Sequence, residues 1–454
     1  MGRLADKSGC ANPEASEHIR ALKPCEDAVG IEPRLPRNGR MDGFVPPESI
    51  SNLLRTATLK EAETRLRYPI LDLIRGVAAC AVAASHWRNL FFKDYEQLPG
   101  AGVLRKGFYG LCGLGHQAVI VFFVLSGFVI CNSIHTSLRK GTWSWRQYLV
   151  SRLTRLWVVL VPAIILGVAL DNVGIVTLPG NGIYGQPGFG HILTGSERDH
   201  LGAGVILGNL LFLQTILVPT LGSNSPLWSL ANEFWYYMSF PLLVLSLRSG
   251  QSNPARILQG SIGIFLLVFA GWGISSYFSI WLMGCGAYYA AHVFSSLSQK
   301  RFLVFFSSGC LMTLGLLLIA RGHSLRAISD FGMDFVLGLA IAVALFGAAS
   351  IKLMPGLAVL AKAGMALAKP SYSLYVLHLP FFIFVASRLF KANADRWNPD
   401  VKHLLFGLGI AICCMIYVVI LYLVAEARTD RVRAWVSQLG PHAQNKRRIS
   451  AAKS

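Results

Sequence analysis

The chain has 454 residues, 53% of them hydrophobic and 14% charged, with 42 Lys and Arg against 23 Asp and Glu. A mean hydropathy of +0.49 over that length excludes the soluble globular class. The formal charge of +19 lies between apolar runs, so it reads as membrane topology and argues against a nucleic-acid partner.

Residues 1–67 mix charges of both signs with Pro24, Pro33, Pro36, Pro46 and Pro47 and hold no sustained apolar period. They are expected to form a flexible cytoplasmic tail without a cleavable secretory signal or a lipidation motif. The nine cysteines show no ligand-like spacing and read as small hydrophobes.

From Tyr68 onward, runs long enough to span a bilayer occur at 69–90, 116–134, 153–171, 226–247, 257–274, 276–295, 302–320, 332–350, 371–390 and 404–425. The fold class is all-α: a polytopic membrane helix bundle of about ten transmembrane helices. Its domain boundaries are 68–427 for the membrane domain and 428–454 for a basic cytoplasmic tail. An eleventh run, 202–220, is ambiguous, and the distribution of basic residues decides it. If it does not cross, Arg139, Lys140, Arg146, Arg248, Arg256, Lys300, Arg301, Lys352, Lys362 and Lys369 share the cytoplasmic side with Arg428, Arg431 and Arg433. The run is therefore expected to be re-entrant or interfacial, with both termini cytoplasmic in an inner membrane.

The first span carries Asp72, Arg75 and His86. At 100° per residue Arg75 and His86 fall within about 20° of one face, with Asp72 within about 60° of Arg75. A structural ion pair beside an interfacial histidine is the bland reading, but ionisable groups inside a membrane default to function.

The Leu71-Asp72-x-x-Arg75-Gly76 start, with a histidine eleven residues after the arginine, resembles the opening motif of the membrane-bound acyltransferase 3 family. Three later stretches agree with it in order: Val121 to Phe128 (VFFVLSGF), Ser225 to Tyr236 (SPLWSLANEFWY) and Ser371 to His378 (SYSLYVLH). The resemblance implies transfer of an acyl group, usually acetyl from acetyl-CoA, to a sugar hydroxyl of a polysaccharide or lipid-linked glycan. By resemblance His86 is the catalytic residue, and a neutral imidazole suits either a general base or an acylated nucleophile. Glu233, at comparable depth, is expected to orient that imidazole and support its charged form.

Asp72 and Arg75 lie where a pantetheine arm would enter, and Arg152 and Arg155 resemble the family's Arg-rich start of the third span. Guanidinium groups there suit CoA phosphates, although positive-inside flanks look the same. His378 is read as a packing histidine because its depth differs from that of His86, and Ser126 as a small helix-packing residue. His116 and Gln117 depart from most relatives, so no role is carried over to them. No metal is expected, since the chain holds no zinc signature, and it shows neither a phosphate loop nor a nucleic-acid module. No appended extracytoplasmic domain is expected. The alternative from another class is a proton-coupled transporter or flippase with Asp72, Arg75, His86 and Glu233 as its relay, and the weakest is a membrane scaffold.

Overall fold

The computed structural model describes residues 69–98, 100, 102–248, 250–321, 330–351 and 357–439. The expected tails at 1–67 and beyond 439, Lys352 and most of the loop at 321–331 lie outside the described residues. Within them the chain is helical and shows no named strand: α1 Pro69–Phe91, α2 Val103–Cys112, α3 Gly115–Arg139, α4 Trp145–Val176, α5 Ala203–Leu210, α6 Leu227–Ser246, α7 Asn253–Val293, α8 Gln299–Arg321, α9 Asp330–Ala348, α10 Leu357–Ala368, α11 Ser371–Leu389, α12 Val401–Val424 and α13 Thr429–Gln438.

Eight stretches of the described residues are long and apolar enough to cross a bilayer by length and composition. All ten expected runs fall on helices, and two particulars account for the different number. The runs 257–274 and 276–295 share α7, whose 41 residues give a helical path of about 60 Å, enough for two crossings of the hydrocarbon thickness. Gly271 interrupts that helix at φ 84° and ψ 169°, a backbone conformation that only glycine adopts without strain. The run 226–247 is α6, which is long enough to cross but carries Asn232, Glu233 and four polar-edged aromatics. Residues 202–220 contain only the eight-residue α5 and then turns, too short to cross.

The bundle is built around α3, which packs on α1, α7 and α9, while α11 packs on α1, α4 and α12. Large apolar side chains left exposed on α7, α8 and α12, such as Val268, Leu311 and Ile416, suit a lipid-facing surface. Where α3 crosses α7 the backbones touch. A Cβ on Gly127 would collide with the Trp281 carbonyl, and one on Gly284 with the Val124 carbonyl. Small residues are what allow such approach in an apolar solvent that supplies no hydrophobic drive between helices.

Loops at one end are tied through Arg396, which is fully buried. It donates to the carbonyls of Asn89 (2.8 Å) and Phe92 (3.1 Å) and to Asp94 Oδ2 (2.6 Å). Asp94 is also within 3.1 Å of His191 and 3.6 Å of Arg88, so a single carboxylate joins three segments. Burial alone would raise the Asp94 carboxyl, but Arg396 and His191 outweigh it and hold it below the usual carboxylate range.

Two outcomes test this packing. Gly284→Ala should cost about 1–3 kcal/mol and lower the melting temperature in detergent, whereas Gly286→Ala, which meets open space, should not. For Asp94 the folded pKa is depressed, so its stabilisation is complete above the unfolded carboxylate value of about 3.9 and is lost as pH falls below it. Wild type should therefore melt above Asp94→Asn at pH 7, and the gap should close below about pH 4.

Candidate functional site

A cavity of about 600 Å³ runs through the bundle. Its lining along α3 extends from Val119 to Lys140 just past the helix end, about 30 Å at 1.5 Å per residue, comparable with the hydrocarbon thickness. One end is cationic: Arg75 of α1, Lys140 at the C-cap of α3, Arg152 and Arg155 of α4, and Arg433 of α13 border it. Asp72 and Glu233 are the two carboxylates in the lining. The other end is aromatic, with Phe122, Phe123 and Tyr375.

Helical spacing puts these groups on inward faces. Arg152 and Arg155 are three apart on α4, whose first turn is capped by the Ser144 hydroxyl accepting from the Gln147 amide. Arg152 donates to Ser133 Oγ (2.9 Å) and lies 5.6 Å over the Tyr148 ring. Arg155 makes no hydrogen bond or ion pair with the described residues, so its guanidinium fork is open to the cavity. Arg75 pairs with Asp72 at 2.9 Å. Four of the expected donor-binding residues and Glu233 thus share one cavity.

Glu233 does not meet His86. Its carboxylate accepts from Ser126 Oγ (3.1 Å) and from the Tyr237 hydroxyl. Ser126 therefore presents its hydroxyl to the cavity, and the close helix packing expected of it belongs to Gly127.

The place beside His86 is taken by His378. His86 Nδ1 and His378 Nε2 are 2.7 Å apart, with near-parallel rings (11°) 5.0 Å between centroids. His378 Nδ1 lies 2.7 Å from the Leu374 carbonyl oxygen, which can only accept. In the uncharged pair this fixes both tautomers. His378 carries its hydrogen on Nδ1 and accepts at Nε2, His86 donates from Nδ1, and the His86 Nε2 lone pair is left without a partner among the described residues. His378 is fully buried and His86 half-buried.

The expected difference in depth between the two histidines fails because of α10. That helix, read in the sequence as part of a loop, packs along the start of α1: a Cβ on Gly76 would lie 2.7 Å from Leu367 Cβ, and one on Gly364 would lie 2.6 Å from Leu73 Cβ. The end of α10 thus lies at the level of Gly76, and the turn after it carries the start of α11 further inward. Seven residues of α11 from that deeper start and ten of α1 from Gly76, about 10 and 15 Å, then bring His378 and His86 to one level.

The cavity leads toward this pair. Tyr375 lines it, with its hydroxyl 2.6 Å from Ser229 Oγ and its ring centroid 6.5 Å from that of His378. Gly115 packs on Ser85, so His86 stands about one helical turn beyond Val119, the last α3 residue of the lining. Nearby, His116 Nε2 reaches Asp334 (2.8 Å), which also accepts from the Tyr277 hydroxyl (2.6 Å). Nothing in the sequence placed Asp334 beside His116, because the two are 218 residues apart. Among the described residues no three His, Cys, Asp or Glu side chains are grouped as a metal site.

Residues 68–424 match the family model described as an acyltransferase domain. An acyltransferase, MdmB, of Streptomyces mycarofaciens is 35% identical over 182 residues, 39% of each chain. A peptidoglycan O-acetyltransferase, OatA, of Listeria monocytogenes is 28% identical over 210 residues, 45% of this chain and 28% of that one. Protein 2 in the picA locus of Rhizobium radiobacter is 31% identical over 171 residues, 37% of this chain and 77% of its own. The chain thus spans well under half the length of the first two relatives. No solved structure matches it significantly.

Proposed function

We infer, from the premise that the chain belongs to this acyltransferase family, that it is a membrane O-acyltransferase carrying an acyl group from a CoA thioester, acetyl first among them, to a hydroxyl of a polysaccharide or lipid-linked glycan. The observation that carries the reading is the cavity itself, cationic at one end and ending, beside Tyr375, about one helical turn short of the His86–His378 pair at the other. The name of the Listeria relative supports both the acetyl group and the glycan acceptor.

In this reading the arginine-lined end faces the cytoplasm, where acyl-CoA is made, and both termini share that side of the inner membrane. Residues 68–427 form the catalytic domain, between a cytoplasmic tail at 1–67 and a basic one at 428–454. Arg75, Arg152 and Arg155 hold the phosphates, Asp72 keeps Arg75 in place, and the pantetheine arm lies along the α3 stripe. The acceptor hydroxyl meets His86 Nε2, which takes its proton as the oxygen attacks the thioester carbonyl carbon. The carbon–sulfur bond then breaks, and the proton passes from His86 to the departing thiolate. His378 acts by fixing the His86 tautomer. Glu233 with Tyr237 and Ser126 forms a polar girdle around the arm rather than part of the proton path.

His86→Ala should lower acyl transfer about 10²- to 10⁴-fold at unchanged membrane level and melting temperature. His378→Gln, whose amide oxygen accepts from His86 Nδ1, should keep more activity than His378→Ala. Equal loss in the two His378 variants would remove the tautomer from the mechanism. For the donor, Arg155→Ala should raise the KM for acyl-CoA with a smaller change in kcat, and Arg155→Lys should recover part of it because the ammonium lacks the bidentate fork. An unaltered donor KM would return Arg155 to a topology role.

A further inference from the structure

We propose that α13 is a wall of the donor site, with Arg433, assisted by Lys140, binding the phosphate-bearing end of the acyl donor. The inference rests on the acyl-CoA reading above and extends it to a segment that the family match does not reach. That match ends at residue 424, whereas α13 spans Thr429–Gln438.

Arg433 borders the same cavity as Arg75, Arg152 and Arg155, and Lys140 borders it from the end of α3. In the sequence Arg433 reads as one of several C-terminal topology charges. Its place at the cavity depends on where α13 docks, and a ten-residue helix does not hold a position by itself. It is fastened at both ends. Arg146 Nη2 donates to the Ser437 carbonyl (2.8 Å) and more weakly to that of Val436 (3.4 Å), a cation on the unsatisfied carbonyls of a helix C-terminus. Just ahead of α13, the Glu426 carboxylate accepts from the Ser373 amide (3.0 Å) and hydroxyl (2.6 Å) at the start of α11. Arg146, next to the donor arginines in the chain, is absent from the cavity lining and serves as this tether.

Charge makes the case for an anion. Five cationic side chains border the cavity against two carboxylates, and both carboxylates are engaged, Asp72 with Arg75 and Glu233 with Ser126 and Tyr237. Gathering guanidinium groups around one poorly solvated space is unfavourable unless a polyanion completes it. Arg433 also pairs with Asp430 at 3.1 Å on the same helix, a partly exposed contact of small worth. Phosphate could reach these residues on a nucleotide or on a lipid headgroup, and the proposal takes the nucleotide.

The test is calorimetric binding of CoA to the full-length protein in phosphatidylcholine nanodiscs. Arg433→Ala should bind CoA roughly ten- to a hundredfold more weakly, the range for losing one charge-assisted hydrogen bond. Arg433→Lys should lose less. Arg146→Ala, which loosens α13, should weaken binding in the same direction. Asp430→Ala should bind at least as well as wild type, since it releases Arg433; loss equal to that of Arg433→Ala would reduce Arg433 to its intrahelical pair and overturn the proposal. Unaltered CoA affinity in Arg433→Ala would overturn it as well. A third contrary result is an Arg433→Ala defect confined to nanodiscs containing phosphatidylglycerol, which would assign the residue to lipid. A wild-type protein that binds no CoA would sink the donor reading instead, and so separates the two failures.

Discussion

The register between α1 and α11 is the constraint on which the site depends. It is set by contact between α10 and the start of α1, where Gly76 and Gly364 leave no room for a Cβ against Leu367 and Leu73. Packed protein is bistable rather than continuously deformable, so a displacement of α10 would carry α11 with it. A shift by one residue along α11 moves His378 about 1.5 Å along the axis and turns it 100° away from His86. A pair of small residues near one membrane surface thus fixes a hydrogen bond about 15 Å deeper.

A second constraint is that buried irregular backbone must have its polar groups satisfied by protein, and the segment after α5 shows how that is done. Buried Asn209 donates to the Pro219 carbonyl (3.0 Å) and accepts from the Leu221 amide (3.2 Å), while Gln214 donates to the Leu227 carbonyl (2.8 Å). Asp171 of α4 accepts from both the amide and the hydroxyl of Ser223. Three polar side chains do the work of a helical ladder, and they hold the start of α6, where Ser229 meets Tyr375.

The contrast between what was legible in the sequence and what was not follows from this. Asp72, Arg75 and Glu233 stand out because a charge in an apolar run is costly, Arg152 and Arg155 by their resemblance to the family's Arg-rich third-span start, and all five line the cavity. The length of the apolar runs also located the main spans. What it missed needed contacts between distant segments. α10 and α2 are short helices inside stretches whose length and charge resemble loops. Counting helical rise from the apparent start of α11 puts His378 at the wrong level. Neither the depth nor the motif that pairs Glu233 with His86 says which way the side chain points, and α6 turns it toward Ser126. Arg433 looked like any other basic tail residue, since only the docking of α13 distinguishes it.

The chemistry proposed for the pair has a cost that its substrate makes tolerable. In a hydrolase triad a buried carboxylate both fixes the histidine tautomer and stabilises the imidazolium that forms. Here a carbonyl oxygen and a neutral imidazole fix the tautomer, and they support the positive charge less than a carboxylate does. A carboxylate at that depth would itself need a cationic partner, and the cations of this cavity are gathered at its other end. A thioester relaxes the demand, because its leaving thiol ionises near pH 8.5 and departs as a thiolate without full protonation. Charge is thus divided along the proposed path, with fixed cations at one end of the cavity for the donor's phosphates and a neutral histidine pair beyond its aromatic end for the acyl transfer.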